Sequence, residues 1–369
     1  MTSKTLLSTA VSALLLLTAC KDDSPAPAPA GEAPAESAPA QVDASKPTET
    51  HDVMVLSGGD GLWEWMESDD GWAGVAESPE RGVPYVLFTA VHDHWAEASK
   101  SIPVQQKKLI FYRSMLPLIL HANHMVHENR AKVLAFREQV AAGESLNPEA
   151  LSLLARGLEL FRVTDADTAA ELDNDTAGLP EMMDELLLRL DEIPAGLALG
   201  QSAYESGYGT SRFALQGNAL FGQASFDAGG MKATNAKPLS EGGHHIAAFD
   251  WPFDSVRGYF INLNSHPAYE DFRRLRAEQR AAGEPLDSLK LADGLLRYST
   301  RGQDYIDDLK GIIRHNGLDR ADAAELRKEQ KRFMLVAEDD ATKAQMEAEL
   351  EEMRASGELR AIYERMRLD

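Results

Sequence analysis

Pro194-Ala195-Gly196-Leu197-Ala198-Leu199-Gly200-Gln201-Ser202-Ala203-Tyr204-Glu205-Ser206-Gly207-Tyr208-Gly209-Thr210-Ser211-Arg212 is the stretch from which the fold can be read. Proline suits a first helical turn, where its missing N–H has no intrahelical partner to lose. Ile193, Leu197, Gly200 and Tyr204 recur at threes and fours, and Gly207 is a natural helix terminator. The pattern predicts a helix that stops near Gly207. Ala198, Gln201, Ser202 and Glu205 fall on a second stripe. A carboxylate in the last turn meets the negative end of the helix dipole. That position and partial burial both penalise its charged form, raising the pKa toward what a general acid needs. An ordinary Glu, near ~4.3, is almost wholly ionised at neutral pH and has no proton to give. Helix geometry alone leaves two readings open: a general acid, or a surface glutamate that happens to precede a glycine.

Upstream, Val104 to about Ala142 reads as helix, with Leu109, Tyr112, Leu116, Ile119 and Asn123 on one face and Pro117 expected to kink or break it. Helices follow at Pro148–Phe161 and Glu181–Leu190. Val53-Met54-Val55-Leu56 and Pro84-Tyr85-Val86-Leu87-Phe88 read as short strands. Downstream, a short helix is expected between Thr210 and Gly217, then a small β-hairpin lobe or long loop over 218–249. Four more helices are predicted at Asp254–Leu263, Ala268–Ala281, Ser288–Leu296 and Tyr305–His315. Residues 319–369 read as a charged helical tail, a solvated appendage offering a surface to a protein partner.

The chain has 369 residues, 44% of them apolar, enough for a large folded core with tails. Its 37 basic and 59 acidic side chains leave a net charge of −22, which argues against nucleic acid, whose phosphates require clustered Lys and Arg. At the N-terminus, Lys4 precedes an apolar run from Leu6 to Leu17, too short to span a bilayer, and Leu17-Thr18-Ala19-Cys20 resembles a bacterial lipobox. Residues 1–19 are thus expected to be a lipoprotein signal peptide, with Cys20 lipidated and anchored in a membrane. Lys21 points to the outer membrane, facing the periplasm. Cys20 is the only cysteine, so no intramolecular disulfide can form. Residues 20–52, rich in Pro, Ala, Glu and Ser, are expected to form a disordered tether. At ~3.1 Å per residue its reach is on the order of 90 Å. An N-terminal helical region is expected over 53–165, and the domain holding Glu205 over 166–318.

The segment from Ala198 to Phe213, followed by Gly217-Asn218-Ala219-Leu220-Phe221-Gly222-Gln223, resembles the catalytic segment of the bacterial glucosaminidases of glycoside hydrolase family 73, nearest their Bax-like group. The resemblance continues through Phe249-Asp250, Tyr259, Leu263-Asn264, His266-Pro267-Ala268-Tyr269 and Leu296-Arg297-Tyr298-Ser299, covering about residues 100–318. It implies a mainly α, lysozyme-like α+β domain with a small β-lobe and a groove. It also implies an endo-β-N-acetylglucosaminidase that cuts the β-1,4 bond after N-acetylglucosamine in peptidoglycan without a cofactor. Glu205 would be the general acid and Tyr298 would line the groove at the scissile sugar. Gln201, Asn218, Phe221 and Gln223 would contact substrate. Glycosidases usually employ two carboxylates. Glu241, in Ser240-Glu241-Gly242-Gly243, is the expected base, with Asp227 and Asp250 behind it, or the substrate's acetamido group serves instead.

His121, His124, His127 and Glu128 invite a metal reading, but the run is not His-Glu-x-x-His and a packed or solvated cluster explains it better, so no metal is expected. Two other functions compete: a muramidase or lytic transglycosylase, and a catalytically inactive wall-binding lipoprotein.

Overall fold

The computed structural model describes residues 52–72, 82–91, 95–225, 230–232 and 245–356. In chain order these form β1 (Asp52–Ser57), α1 (Gly58–Glu67), β2 (Val86–Phe88), α2 (Trp95–Ser101), α3 (Val104–Ala141), α4 (Pro148–Leu160), α5 (Ala166–Ala170), α6 (Leu179–Arg189), α7 (Ala195–Ser206) and α8 (Arg212–Gly217). There follow β3 (Ala224–Ser225), β4 (His245–Ile246), α9 (Pro252–Ser265), α10 (Glu270–Ala281), α11 (Ser288–Leu291), α12 (Gln303–Asn316), β5 (Arg332–Ala337) and α13 (Asp340–Ser356). Short 3-10 turns cover Pro267–Tyr269, Ala292–Leu295 and Leu318–Ala323. The fold is mainly α with few strands, as the sequence implies.

Helix starts follow local chemistry. The Asn147 side chain accepts from Ala150 N at 2.8 Å and opens α4, and Ser211 Oγ accepts from Ala214 N at 3.1 Å and opens α8. Pro194 precedes α7, and Gly207 closes it in the left-handed region. Helix α3 runs unbroken through Pro117, so of the expected kink or break the break does not occur. Residues 115–123 of α3 are buried throughout, and packing on α7, α6, α9 and β2 offsets the one backbone bond that proline removes.

Helix α7 is the axis of the helical lobe. Residues Ala195 to Ala203 are all buried, so its two stripes both face protein and only its last turn emerges. It lies against α3, α11, α12 and the 3-10 turn at Leu318–Ala323. Asp322 holds its first turn, accepting from Gly196 N at 2.8 Å and from Ser288 Oγ at 2.5 Å. Arg276, 1% exposed, fixes the approach to α7 by donating to the carbonyls of Leu188, Arg189, Asp191 and Glu192 and to Asn264 Oδ1.

The tail departs from expectation. Residues 332–337 form a strand, not a helix, and the strand is central: β5 pairs in parallel with β1 (Asp52↔Arg332 to Ser57↔Ala337) and with β2 (Val86↔Arg332 to Phe88↔Met334). All three strands are near-continuous apolar runs, the pattern of a parallel sheet covered by helices. Helix α13 packs on β1 and β5, and α1 on β1. Arg327 donates to the carbonyls of Asp70 and Gly71, and Phe333 sits 6.2 Å from the Trp251 ring, joining the sheet to the helical core. Among the described residues the tail is structural up to β5, and α13 retains the charged, half-exposed character expected of the whole. The expected β-hairpin appears as antiparallel β3–β4 (Ala224↔Ile246, Ser225↔His245). Among the described residues no helix is long and apolar enough to cross a membrane.

Candidate active site

Glu205 closes α7, and the Ser206 that follows it shapes the turn. Ser206 Oγ donates to Ser202 O at 2.6 Å and accepts from Gly209 N at 2.9 Å, while Ser211 N reaches Ser206 O at 2.9 Å. Trp95 Nε1 donates to Tyr208 O at 2.9 Å and pins the outer edge of this loop. The Glu-Ser-Gly triplet therefore ends the helix abruptly and leaves the Glu205 side chain half-buried at its rim.

Gly222 lies over the carboxylate. A β-carbon at this position would stand 2.9 Å from Glu205 Oε2, so the carboxylate would have to shift, and the backbone there has φ +62, which favours glycine. Gly222 itself is exposed, so the carboxylate is separated from solvent by little more than bare backbone. Tyr298 fixes that backbone by donating from its hydroxyl to Phe221 O at 2.7 Å.

Phenols from four segments surround the acid. Tyr259 of α9, Tyr269 of the 3-10 turn, Tyr298 and Tyr305 of α12 all feel the Glu205 charge. Tyr298 stacks on Tyr305 with centroids 5.7 Å apart, and Tyr269 stands 5.8 Å from Tyr298. Burial pushes the Glu205 carboxyl above the ordinary glutamate range, and the nearby Tyr305 hydroxyl partly opposes that shift. Behind Tyr305 stands Gln201, whose Nε2 donates to the Tyr305 oxygen at 3.0 Å and whose Oε1 accepts from the Tyr259 hydroxyl at 2.6 Å.

These positions correct two expectations. Gln201, expected to touch substrate, is fully buried with both ends of its amide bonded to tyrosines. Phe221, expected on the groove floor, is also fully buried, stacked on Tyr259 at 4.1 Å. The Asn218 amide serves backbone: Oδ1 accepts from Val91 N at 3.2 Å, and Nδ2 donates to Phe249 O and Asp250 O, each at 3.1 Å. Gln223 bonds to Ser255, donating to its carbonyl at 3.1 Å and accepting from its hydroxyl at 3.2 Å, which ties the Gly222 segment to α9. Glu241 and Asp227 lie outside the described residues, and Asp250 is exposed. The histidines disperse: His121 meets the Tyr85 hydroxyl at 2.8 Å, His124 faces Glu128 and His127 pairs with Glu192. Two parts of the site escape a sequence reading. Gly222 looks like an ordinary loop glycine, and Tyr305 reads only as the start of a helix. A glycine directly after the buried Phe221 is the one local hint of close backbone approach.

The family described as mannosyl-glycoprotein endo-beta-N-acetylglucosaminidase (Glucosaminidase) matches residues 184–318. The match takes in the end of α6, all of α7 with Glu205, Gly222 and the four tyrosines. Residues 184–318 are thus similar to a glucosaminidase domain. The chain is 36% identical over 131 residues to protein bax of Escherichia coli (strain K12), covering 36% of this chain and 46% of that protein. The chain thus spans about half the length of the curated relative it matches. No solved structure matches it. The glucosaminidase match begins at residue 184, later than the expected start near 100, so all of α3 and the three-stranded sheet lie outside it.

Proposed function

We propose that the glucosaminidase domain is an endo-β-N-acetylglucosaminidase acting on peptidoglycan, with Glu205 as the general acid. The observation that supports this most directly is the setting of Glu205: a half-buried carboxyl with a raised pKa beneath the exposed backbone of Gly222. A carboxyl so placed keeps its proton to higher pH than a solvated one. It delivers that proton to the bridging oxygen as the bond from C1 of N-acetylglucosamine breaks, and the leaving sugar departs as an alcohol. Positive charge develops on the N-acetylglucosamine ring, and water adds at C1, giving up a proton, to complete the hydrolysis. The surrounding phenols stay neutral, because burial raises Tyr259 and Tyr305 far above the ordinary tyrosine range. They supply fixed dipoles to the site without competing for the proton. Tyr298 acts by holding Phe221 and Gly222 in place over the acid.

The test uses purified cell-wall sacculi with the wild-type chain beside Glu205→Gln. Wild type releasing fragments with reducing N-acetylglucosamine ends, and Glu205→Gln releasing none, is the expected result. Anhydro-muramic ends would replace this reading with a lytic transglycosylase, and equal activity of both proteins would remove Glu205 from the mechanism.

For residues 1–51, which lie outside the described structure, we propose cleavage before Cys20, lipidation of its sulfur and retention at the outer membrane facing the periplasm. Incorporation of labelled fatty acid into the chain, lost in Cys20→Ser, is the expected outcome. Labelling that persists in that variant would refute it.

A further inference from the structure

Two arginines on one side of the acid have no acidic partner, in a chain with 59 acidic and only 37 basic side chains. Arg162 and Arg297 are both exposed, and among the described residues neither side chain makes a hydrogen bond or an ion pair. The fold brings them together from distant segments. Arg162 follows α4, and Nη1 of Arg189 donates to Phe161 O and Arg162 O, each at 2.9 Å, and to Ser265 O at 3.4 Å. One nitrogen thus holds Arg162 beside the end of α9, where His266 comes next. Arg273 donates to the His266 carbonyl at 3.0 Å, and His266 Nδ1 accepts from Ala268 N at 3.1 Å. Burial, and then the charges of Arg162, Arg273 and Arg297, hold this imidazole below its usual range. It is therefore neutral, and Nε2 carries its one ring hydrogen. From His266 the contacts lead back to the acid. Tyr269 stands 5.8 Å from His266 and 5.8 Å from Tyr298, the chain neighbour of Arg297, and Tyr298 holds the Phe221 carbonyl beside Gly222. Of the nearby carboxylates, Glu185 is taken by Arg189 at 2.6 Å, and the charge of Glu270 falls on Arg273.

Arg162 also stands where a glycine would sit more comfortably. Its φ is +56, the left-handed conformation that ends many helices and favours glycine. Strain kept at such a position points to a use for the side chain. We propose that Arg162, Arg297 and the Nε2–H of His266 form a carboxylate subsite on the Tyr269–Tyr298 side of Glu205, which binds the acidic arm carried by every second sugar of peptidoglycan. The proposal rests on the reading of this domain as a peptidoglycan glucosaminidase and deepens it. A guanidinium presents paired N–H donors that match the two oxygens of a carboxylate. Peptidoglycan offers such groups at the lactyl arm of muramic acid and on the stem peptide joined to it. A β-1,4 polymer of N-acetylglucosamine alone has an equivalent bond but no negative charge. The subsite therefore separates wall glycan from neutral glycan by the charge on a neighbouring sugar, while Glu205 acts on a bond that both contain.

The experiment is calorimetric titration of the full chain in detergent, carrying Glu205→Gln so that nothing is cut, with three glycans of equal length. The first is a wall fragment with its stem peptides. The second is the same fragment with the stems removed by an amidase, which leaves the lactyl carboxylates free. The third is a chitin oligosaccharide. One or both wall fragments should bind about tenfold more tightly than the neutral oligosaccharide. Adding Arg162→Gln should cut that preference to about threefold, and Arg297→Gln on top of it should abolish it. Tight binding confined to the first fragment assigns the subsite to stem carboxylates, and tight binding of the second assigns it to the lactyl group. Arg162→Gly separates contact from folding. It relieves the backbone, so the melting temperature should hold or rise, yet it should lose as much preference as Arg162→Gln. Equal affinity for charged and neutral glycans, a preference that survives the double substitution, or one kept by Arg162→Gly overturns the proposal. Because binding is measured without cleavage, a wild-type chain that leaves sacculi intact would count against the enzymatic reading alone.

Discussion

Gly222 and Glu205 are fitted to each other: a β-carbon on the glycine would stand 2.9 Å from Oε2 of the acid. Gly222→Ala must therefore displace the carboxylate or the loop above it. Misplacement by about 1 Å costs on the order of 100-fold in rate. The alanine also has to adopt φ +62, a conformation that destabilises L-residues by more than about 1 kcal/mol. Steady-state turnover should fall about 100-fold while the melting temperature drops by a few degrees.

Asp254, in the first turn of α9, is pushed up to about 6 by burial, and its Oδ2 has no hydrogen-bond partner. A carboxyl raised from 3.8 in the unfolded chain to about 6 in the fold supports folding while protonated, and that support is lost as pH rises through about 6. Asp254→Asn should therefore stabilise the protein at pH 8 by roughly 2 kcal/mol, with the gain vanishing below about pH 4. Denaturant titrations at pH 4, 6 and 8 measure it. A constant difference across that range would show that ionisation is not the cause.

Arg276 is buried and supplies hydrogens to four carbonyls just ahead of α7. Its loss takes the donor from the Leu188 and Glu192 carbonyls, whereas Arg189 O keeps Asp191 N and Asp191 O keeps Asn264 Nδ2. It also removes a nearby charge from the buried Asp191 carboxylate, which retains Arg280 at 2.9 Å. Arg276→Met should cost about 3–5 kcal/mol in chemical denaturation. Arg276→Lys should recover little, because one ammonium cannot reproduce a planar fork.

Asp322 anchors the N-terminal turn of α7 through Gly196 N and both the backbone and hydroxyl of Ser288. Asp322→Ala should lower stability by about 3 kcal/mol, since three donors lose their acceptor in a largely dry site. Turnover by the folded fraction should also fall, because the helix that carries Glu205 is no longer fixed at its start. Single-turnover rates at saturating protein separate that loss from simple unfolding.

A chain cut after residue 324 retains the whole glucosaminidase match but loses β5. Phe333, Met334 and Leu335 are buried, and each contributes roughly 1.5–3 kcal/mol. Their combined loss approaches the entire stability of an ordinary domain. The shortened protein should aggregate or melt far below the full chain in calorimetry.

Helix α7 was legible because Pro194 and Gly207 mark its limits and the turn after it is written in Ser206, Gly209 and Ser211. The burial of Gln201 was not legible, because a helix is ordinarily expected to turn one face to solvent, whereas α7 is wrapped on all sides up to its last turn. Phe221 was misplaced for a related reason: an aromatic beside a catalytic motif looks like a sugar platform, yet Tyr259 already covers its face. The tail was misread because Phe333-Met334-Leu335-Val336 is too short to reveal its period amid flanking charge. Its partners, β1 and β2, lie near the other end of the described chain, where no local signal can announce a parallel pairing. The strands at Val53 and Val86 were recognisable as strands, but not as neighbours of a third.

The central place of β5 also dictates an order of assembly. A ribosome makes β1 and β2 well before the segment that joins them, so both apolar strands leave it unpaired. The helical lobe around α7 has its contacts in hand once Asp322 has emerged, and can condense first. The sheet, whose pairings are almost all distant in sequence, closes late and slowly. Until then β1 and β2 are exposed sticky edges, which makes this interval, rather than the finished molecule, the time at which the chain most needs a chaperone.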